Sequence, residues 1–239
     1  MRRLELATFV TVITIAICAM SASGASAALP ELVNKEGKEL VKKGFAGRSG
    51  ADTLETANGS IIRCTEDTKT GQVSGTKKVV KVIIVCKGAE ALGLGKCNSP
   101  GQPAGTIVTK ELEGEIGYIN AAEKTVGVEF WPSGRTAAEK EKHEFKALLA
   151  EWECTGFATD KMRGSLVCQL TPVNKLIGQL TMTCSKGANK GEMRLKKLQG
   201  VEGGVETMPE CSLNGGAFER CAWEFVETLT FEEEVELRA

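Results

Sequence analysis

The chain has 239 residues, with 30 basic and 31 acidic side chains and a formal net charge of −1. That balance argues against a general nucleic-acid binder, which carries a basic excess. The length suits one large all-β domain or two small ones, with room for a true hydrophobic core.

Arg2 and Arg3 open the chain, Leu6 to Met20 is an almost unbroken apolar run, and Ala25-Ser26-Ala27 has the small-x-small pattern of a peptidase site. Residues 1–27 therefore read as a cleavable secretory signal, cut between Ala27 and Ala28. The run holds about 15 residues, short of the roughly 20 that a membrane-spanning helix needs. A lipid anchor at Cys18 is the rival reading, but it wants a small residue where Ile17 stands. The expectation is a secreted protein, extracellular or at the cell envelope, with no membrane association after cleavage. It would mature in an oxidising compartment. Its net charge without the signal is about −2.

Residues 28–44, with Leu32, Val33, Leu40 and Val41, read as a lead-in, either a short helix or disordered. From residue 45 to 239 the pattern is mostly period two, broken by Gly, Asn and Pro. Thr53–Thr56 and Ser60–Cys64 flank Asn58-Gly59 as a hairpin, for which a type I′ turn is expected. Lys78–Cys86 is rich in Val and Ile and predicts a strand. Residues 87–104, dotted with glycine and proline, predict a loop. Strands are predicted at Thr106–Leu112, Glu115–Ile119 and Thr125–Trp131. Thr136 and Glu139 could form a capping box, so a helical turn is expected at about 136–144. Leu148, Ala150, Trp152 and Cys154 alternate with polar or outward residues, predicting a strand from about 146 to 155. Further strands are expected at Met162–Leu170, Leu176–Ser185, Val205–Leu213 and Ala217–Phe231, the last two joined through Asn214-Gly215-Gly216. Residues 186–204 read as a polar surface excursion. Many short strands with regular turns indicate an antiparallel β-sandwich or flattened barrel.

Without Cys18, eight cysteines remain: Cys64, Cys86, Cys97, Cys154, Cys168, Cys184, Cys211 and Cys221. An even count in an exported chain predicts four disulfides. Zinc is not expected, because no close Cys-x-x-Cys pair occurs and His143 is the only histidine. Cys86 and Cys97 flank a glycine-rich loop, and Cys211 and Cys221 flank a turn. Strand ends joined by a turn come within the roughly 4.4–6.8 Å that a disulfide spans. The expected bonds are thus Cys86–Cys97 and Cys211–Cys221, with Cys64–Cys154 and Cys168–Cys184 left by elimination.

Ser49-Gly50-Ala51-Asp52-Thr53-Leu54-Glu55-Thr56, Ile62-Arg63-Cys64-Thr65, Thr109 to Asn120 (TKELEGEIGYIN), Arg163-Gly164-Ser165 and Val173-Asn174-Lys175 follow one another in that order. This succession resembles an uncharacterised group of secreted bacterial all-β proteins, over most of residues 44–239. The resemblance implies that the stretch ending at Cys154 is extended. It implies no activity, cofactor or catalytic residue.

Candidate chemistry is sparse. His143 lies in the charged stretch Glu141–Glu144 and reads as a solvated imidazole. A nucleophile therefore lacks its usual base, and no Gly-x-Ser-x-Gly elbow occurs. Glu111, Glu113 and Glu115 share one strand face, and Glu232, Glu233, Glu234 and Glu236 cluster near the C-terminus. Either set could supply the two carboxyls of a glycosidase, although a solvated face explains both. Asp52, Asp67 and Asp160 are the only aspartates, and none sits in the dense acidic loop that calcium prefers. Gly93-Leu94-Gly95-Lys96 fails the phosphate-loop pattern at Glu90 and Cys97. Asn58-Gly59-Ser60 matches a glycosylation sequon, but the turn alone explains it. Trp131, before Pro132 at a turn, is the aromatic expected to be exposed and is a candidate for stacking on a sugar. Lys190, Arg194, Lys196 and Lys197 could meet an anionic wall polymer or simply be solvated.

The sequence thus supports a secreted, disulfide-stabilised, non-catalytic binding or structural module at the bacterial cell envelope. No metal or cofactor is expected, and the candidate partners are a cell-wall glycan or an anionic wall polymer. An extracellular glycan-active enzyme using paired Glu carboxylates is the alternative. The discriminating feature is a cleft in which two carboxyls of raised pKa face each other.

Overall fold

A computed structural model describes residues 29–93, 95–156 and 159–239. The expected signal segment, its cleavage point and Cys18 lie outside the described residues, as does Leu94.

Among the described residues the chain forms seventeen strands. The first six are β1 (Glu31–Asn34), β2 (Leu40–Ser49), β3 (Asp52–Thr56), β4 (Ile61–Cys64), β5 (Glu66–Gly75) and β6 (Lys78–Lys87). Then come β7 (Glu90–Ala91), β8 (Gly95–Asn98), β9 (Thr106–Val108), β10 (Leu112–Asn120), β11 (Thr125–Pro132) and a short helix α1 (Ala137–Glu141). The last are β12 (Leu148–Cys154), β13 (Asp160–Arg163), β14 (Leu166–Thr171), β15 (Leu176–Cys184), β16 (Glu210–Ser212) and β17 (Glu219–Arg238). Thr136 caps α1 in a full capping box with Glu139, as the pattern predicts.

The expected all-β antiparallel fold is present, and it closes as a barrel. Eight strands pair in a ring, β6–β10–β11–β14–β15–β17–β2–β5 and back to β6. Eight strands leave an interior that side chains can fill. Leu32, Phe45, Ile116, Phe130, Leu180 and Leu229 fill this one around a void of about 20 Å³. Closure needs bent strands, and bulges supply the bends. The register slips between Val41 and Lys43 on β2, where Lys42 takes φ 55°, and Lys81 on β6 takes φ 53°.

A second circuit of shorter pairings hangs from the same long strand: β17–β3–β4–β7–β8–β12–β13–β16 and back to β17. Residues 219–224 of β17 serve this circuit and residues 225–236 the first. Leu54, Ile62, Trp152, Met162 and Trp223 fill the second interior around another void of about 20 Å³. One continuous apolar cluster joins the two interiors.

Several expectations are corrected. The lead-in is neither helical nor disordered: β1 pairs with β17, and β2 is a barrel strand that already starts at Leu40. Its Leu32, Val33 and Leu40 are buried. The region 87–104 is not a plain loop, because β7 and β8 lie within it and help close the second circuit. That insertion redirects the cysteines. Cys97 on β8 stands opposite Cys154 on β12, and the bond is Cys97–Cys154. Cys86 lies within β6 beside β5 and bonds Cys64 at the end of β4. Neither Cys86–Cys97 nor Cys64–Cys154 forms, while Cys168–Cys184 and Cys211–Cys221 are both present. In the Asn58-Gly59 turn only Gly59 takes positive φ; the Asn58 carboxamide instead accepts from Ser60 N–H. Asn214 and Gly215 both take positive φ.

Candidate functional site

The strand β11 is buried on both faces. Val126, Val128 and Phe130 face the barrel interior. Gly127, Glu129 and Trp131 face outward, where the polar excursion folds back over them. Gly117 and Gly127 allow the close approach: a Cβ at Gly117 would lie 2.6 Å from Val201 Cγ2, and one at Gly127 would lie 3.0 Å from Leu198 Cδ2. The excursion is therefore not merely a solvated loop; Met193, Leu198 and Val201 are buried in it.

Under this cover lies a polar network. The Glu129 carboxylate Oε1 accepts from Ser165 Oγ at 2.7 Å and from Thr207 Oγ1 at 2.8 Å. Glu129 and Ser165 are both fully buried. Burial pushes the Glu129 carboxyl above the usual carboxylate range, and the two hydroxyls only partly offset it. Glu115 stands directly opposite Glu129 on β10, and burial raises its carboxyl as well. Arg135 lies between the rings of Trp131 and Phe145, 4.8 and 4.4 Å from their centroids, and pairs with Glu202. His143 Nδ1 is 3.3 Å from the other oxygen of Glu202.

Trp131 is the clearest correction. It is 3 % exposed and packs with Val167, Leu198 and Val201. Its indole N–H donates to Glu113 Oε1 at 3.0 Å. The turn before Pro132 suggested exposure, but the returning excursion buries the ring, so it cannot stack on a sugar.

The other predicted residues scatter. Glu113 and Glu115 share the outward face of β10, as their period predicts; Glu111 falls before that strand. Glu233 pairs with Lys43 and Glu236 with Arg238, while Glu232 and Glu234 are exposed. His143 is not a free imidazole but lies against Glu202. Lys196 and Lys197 are paired with Glu192 and Glu206, so the basic residues of the excursion do not form one open patch. The eight cysteines are all bonded, and none is left for a metal.

Among the described residues three surface hollows lie near titratable groups, one of about 230 Å³ being lined by Glu123, Gln169 and Arg194 among others. A second of about 440 Å³ is lined by His143, Arg163, Thr207 and Glu210 among others. Another of about 170 Å³, at the far end of the second circuit, is lined by Ile61, Leu92, Asp160 and Leu213 among others. Burial raises the Asp160 carboxyl, while the N–H of Asn214 holds it from the backbone side. No second carboxyl joins Asp160 among the described lining residues.

A third cluster was not visible in the sequence. Asp52, Asp67, Lys69 and Glu227 meet where the two circuits join, each 3 % exposed or less. Burial pushes the Asp67 carboxyl up to about 9, and burial also raises Asp52 beside it. No protein-family model, curated protein or solved structure matches the chain.

Proposed function

We propose that the protein is an exported, non-catalytic module that serves a structural or binding role at the bacterial cell envelope. One observation carries this reading. The carboxyls with raised pKa that lie beside one another do not form an open pair: Asp52 and Asp67 are buried in the core, and Glu129 is fully buried beneath the excursion, leaving only the half-buried Glu115 opposite it within reach of solvent. Hydrolysis of a glycan needs two carboxyls on either side of an accessible bond. Both barrel interiors are filled, which also leaves binding to the outer surface. Four disulfides suit a chain that must persist in an oxidising exterior, and no described helix is long and apolar enough to cross a membrane.

The test uses the oxidised protein with insoluble bacterial wall sacculi and a panel of soluble glycans. The expected result is co-sedimentation with wall material and no new reducing ends. Release of reducing ends that is lost in Glu115→Gln would refute the proposal and establish the glycan-active alternative.

A further inference from the structure

Lys69 on β5 and Glu227 on β17 both point into the barrel, and neither side chain has any exposed surface. Lys69 Nζ lies 2.6 Å from Glu227 Oε2. The two strands are not neighbours, since β2 runs between them. The gap is bridged because Gly47 on β2 has no side chain. A Cβ there would fall 2.2 Å from Glu227 Oε1 and 2.5 Å from its Cδ. The glutamate thus lies across the bare glycine to reach the lysine. Around Nζ stand the rings of Phe225 and Phe130, with centroids at 4.5 and 5.7 Å. Asp67 shares a ladder row with Glu227: Asp67 is opposite Ser49, which is opposite Glu227.

The cluster is poorly satisfied as a set of ions. Three carboxyls share one ammonium, and Glu227 Oε1, Asp52 Oδ1 and both Asp67 oxygens have no hydrogen-bond partner. Buried charges are costly unless paired and fully hydrogen-bonded. Chemistry that removes charge is therefore favoured here, and the geometry already holds the Lys69 nitrogen against the Glu227 carboxylate.

We propose that Lys69 and Glu227 condense to an amide, a covalent staple joining β5 to β17 across β2. A proton first passes from the ammonium to the carboxylate, which frees the Nζ lone pair. The Nζ lone pair then attacks Cδ. A Nζ–Cδ bond forms, one Cδ–O bond breaks, and the departing oxygen leaves as water, carrying the proton already transferred and a second one relayed from nitrogen through Asp67. One N–H remains on the amide. Nothing is oxidised or reduced, and no co-reactant is needed. Asp67, kept protonated by its burial, gives a proton to the departing oxygen and recovers one from nitrogen. Fixed proximity replaces the activation that such a condensation needs in solution.

The experiment is intact mass spectrometry of the full exported protein after reduction and alkylation, followed by tryptic mapping. The expected mass is one water below that of the fully alkylated sequence from its measured N-terminus. Trypsin should fail at Lys69 and release residues 64–77 joined to residues 221–238. The pair Lys69→Met/Glu227→Leu should show the full mass. Asp67→Asn should show a large loss of the joined peptide. A wild-type protein of full mass, or recovery of free peptide 70–77, overturns the proposal. So does a missing water that persists in Lys69→Met/Glu227→Leu. An undiminished joined peptide in Asp67→Asn overturns the role of Asp67.

Discussion

Replacing Cys97 and Cys154 together by alanine opens the largest of the four disulfide loops, with a sequence separation of 57. The other separations are 22, 16 and 10. The loops follow one another along the chain without overlap or nesting, so each bond restrains its own segment of the unfolded state. In the chain-entropy treatment a loop of this length removes roughly 14 cal/mol/K, or about 4 kcal/mol at 25 °C, whereas the Cys211–Cys221 loop accounts for about 2.7 kcal/mol. The two pairs are matched in burial, all four cysteines being 4 % exposed or less. The packing cost of losing two sulfurs is then similar, and the difference isolates loop length. Equilibrium unfolding in guanidinium should place Cys97→Ala/Cys154→Ala below Cys211→Ala/Cys221→Ala by about 1.5 kcal/mol. The penalty should concentrate in the second circuit, where β8 and β12 share only the two registered pairs Glu153↔Asn98 and Cys154↔Cys97. Equal stability of the two variants, or the reverse order, would refute the reasoning.

Alkaline stability should depend on Asp67, whose folded pKa is pushed up to about 9 from an unfolded value near 3.8. The folded state then holds a proton that the unfolded state has released, so this stability is full below the unfolded pKa and is lost as pH rises through about 9. The slope is up to about 1.4 kcal/mol per pH unit. Melting curves between pH 7 and 9 should show a falling Tm that Asp67→Asn flattens; an unchanged slope in that variant would remove Asp67 as the cause. Gly164 has φ +101°, and a Cβ there would lie 2.3 Å from Met208 O, while Gly178 has open space. Gly164→Ala should cost about 2 kcal/mol or more and Gly178→Ala about 0.5 kcal/mol or less, measured by urea unfolding. Trp131→Ala should destabilise by about 3 kcal/mol through the cavity it leaves, with no change in wall co-sedimentation by whatever variant remains folded. Loss of that binding at unchanged stability would restore Trp131 as a ligand contact.

Alternation made much of the barrel legible. Ala150, Trp152 and Cys154 point β12 inward, whereas a bulge after Leu148 takes that residue off the row and buries Leu149 instead; the Val- and Ile-rich run of β6 also alternates. What alternation could not show is a strand whose inward residues are polar. The strand β5 reads Glu-Asp-Thr-Lys-Thr-Gly-Gln-Val-Ser-Gly, yet Asp67, Lys69, Gly71 and Val73 form its buried row. A period-two pattern of apolar residues is the usual signal, and here charge and glycine stand where apolar residues are expected. The cysteine pairing failed for a different reason. Sequence proximity favoured Cys86–Cys97, but β7 and β8 are too short to announce themselves, and their pairing carries Cys97 over to β12. Trp131 failed because its burial depends on Leu198 and Val201, some seventy residues later, and on two glycines that leave them room.

The long strand β17 links these separate errors. Its inward row passes from Trp223 in the second interior, through Phe225 and Glu227, to Leu229 in the first. Trp223 donates its indole N–H to Asp52 Oδ2 at 3.0 Å, so the second interior is tied to the polar cluster from one side. Lys69 reaches the same cluster from the first interior, against Phe130 and Phe225. Alternation alone forbids a one-residue slip along β17 but not a slip of two, which keeps the same face inward, and apolar contacts have no direction to oppose it. A directed hydrogen bond at one end and a fixed Lys–Glu contact at the other leave one alignment that satisfies both. Gly47 belongs to that specification as much as the charges do. Any side chain at its position would displace the Glu227 carboxylate, leaving Lys69 buried without its partner.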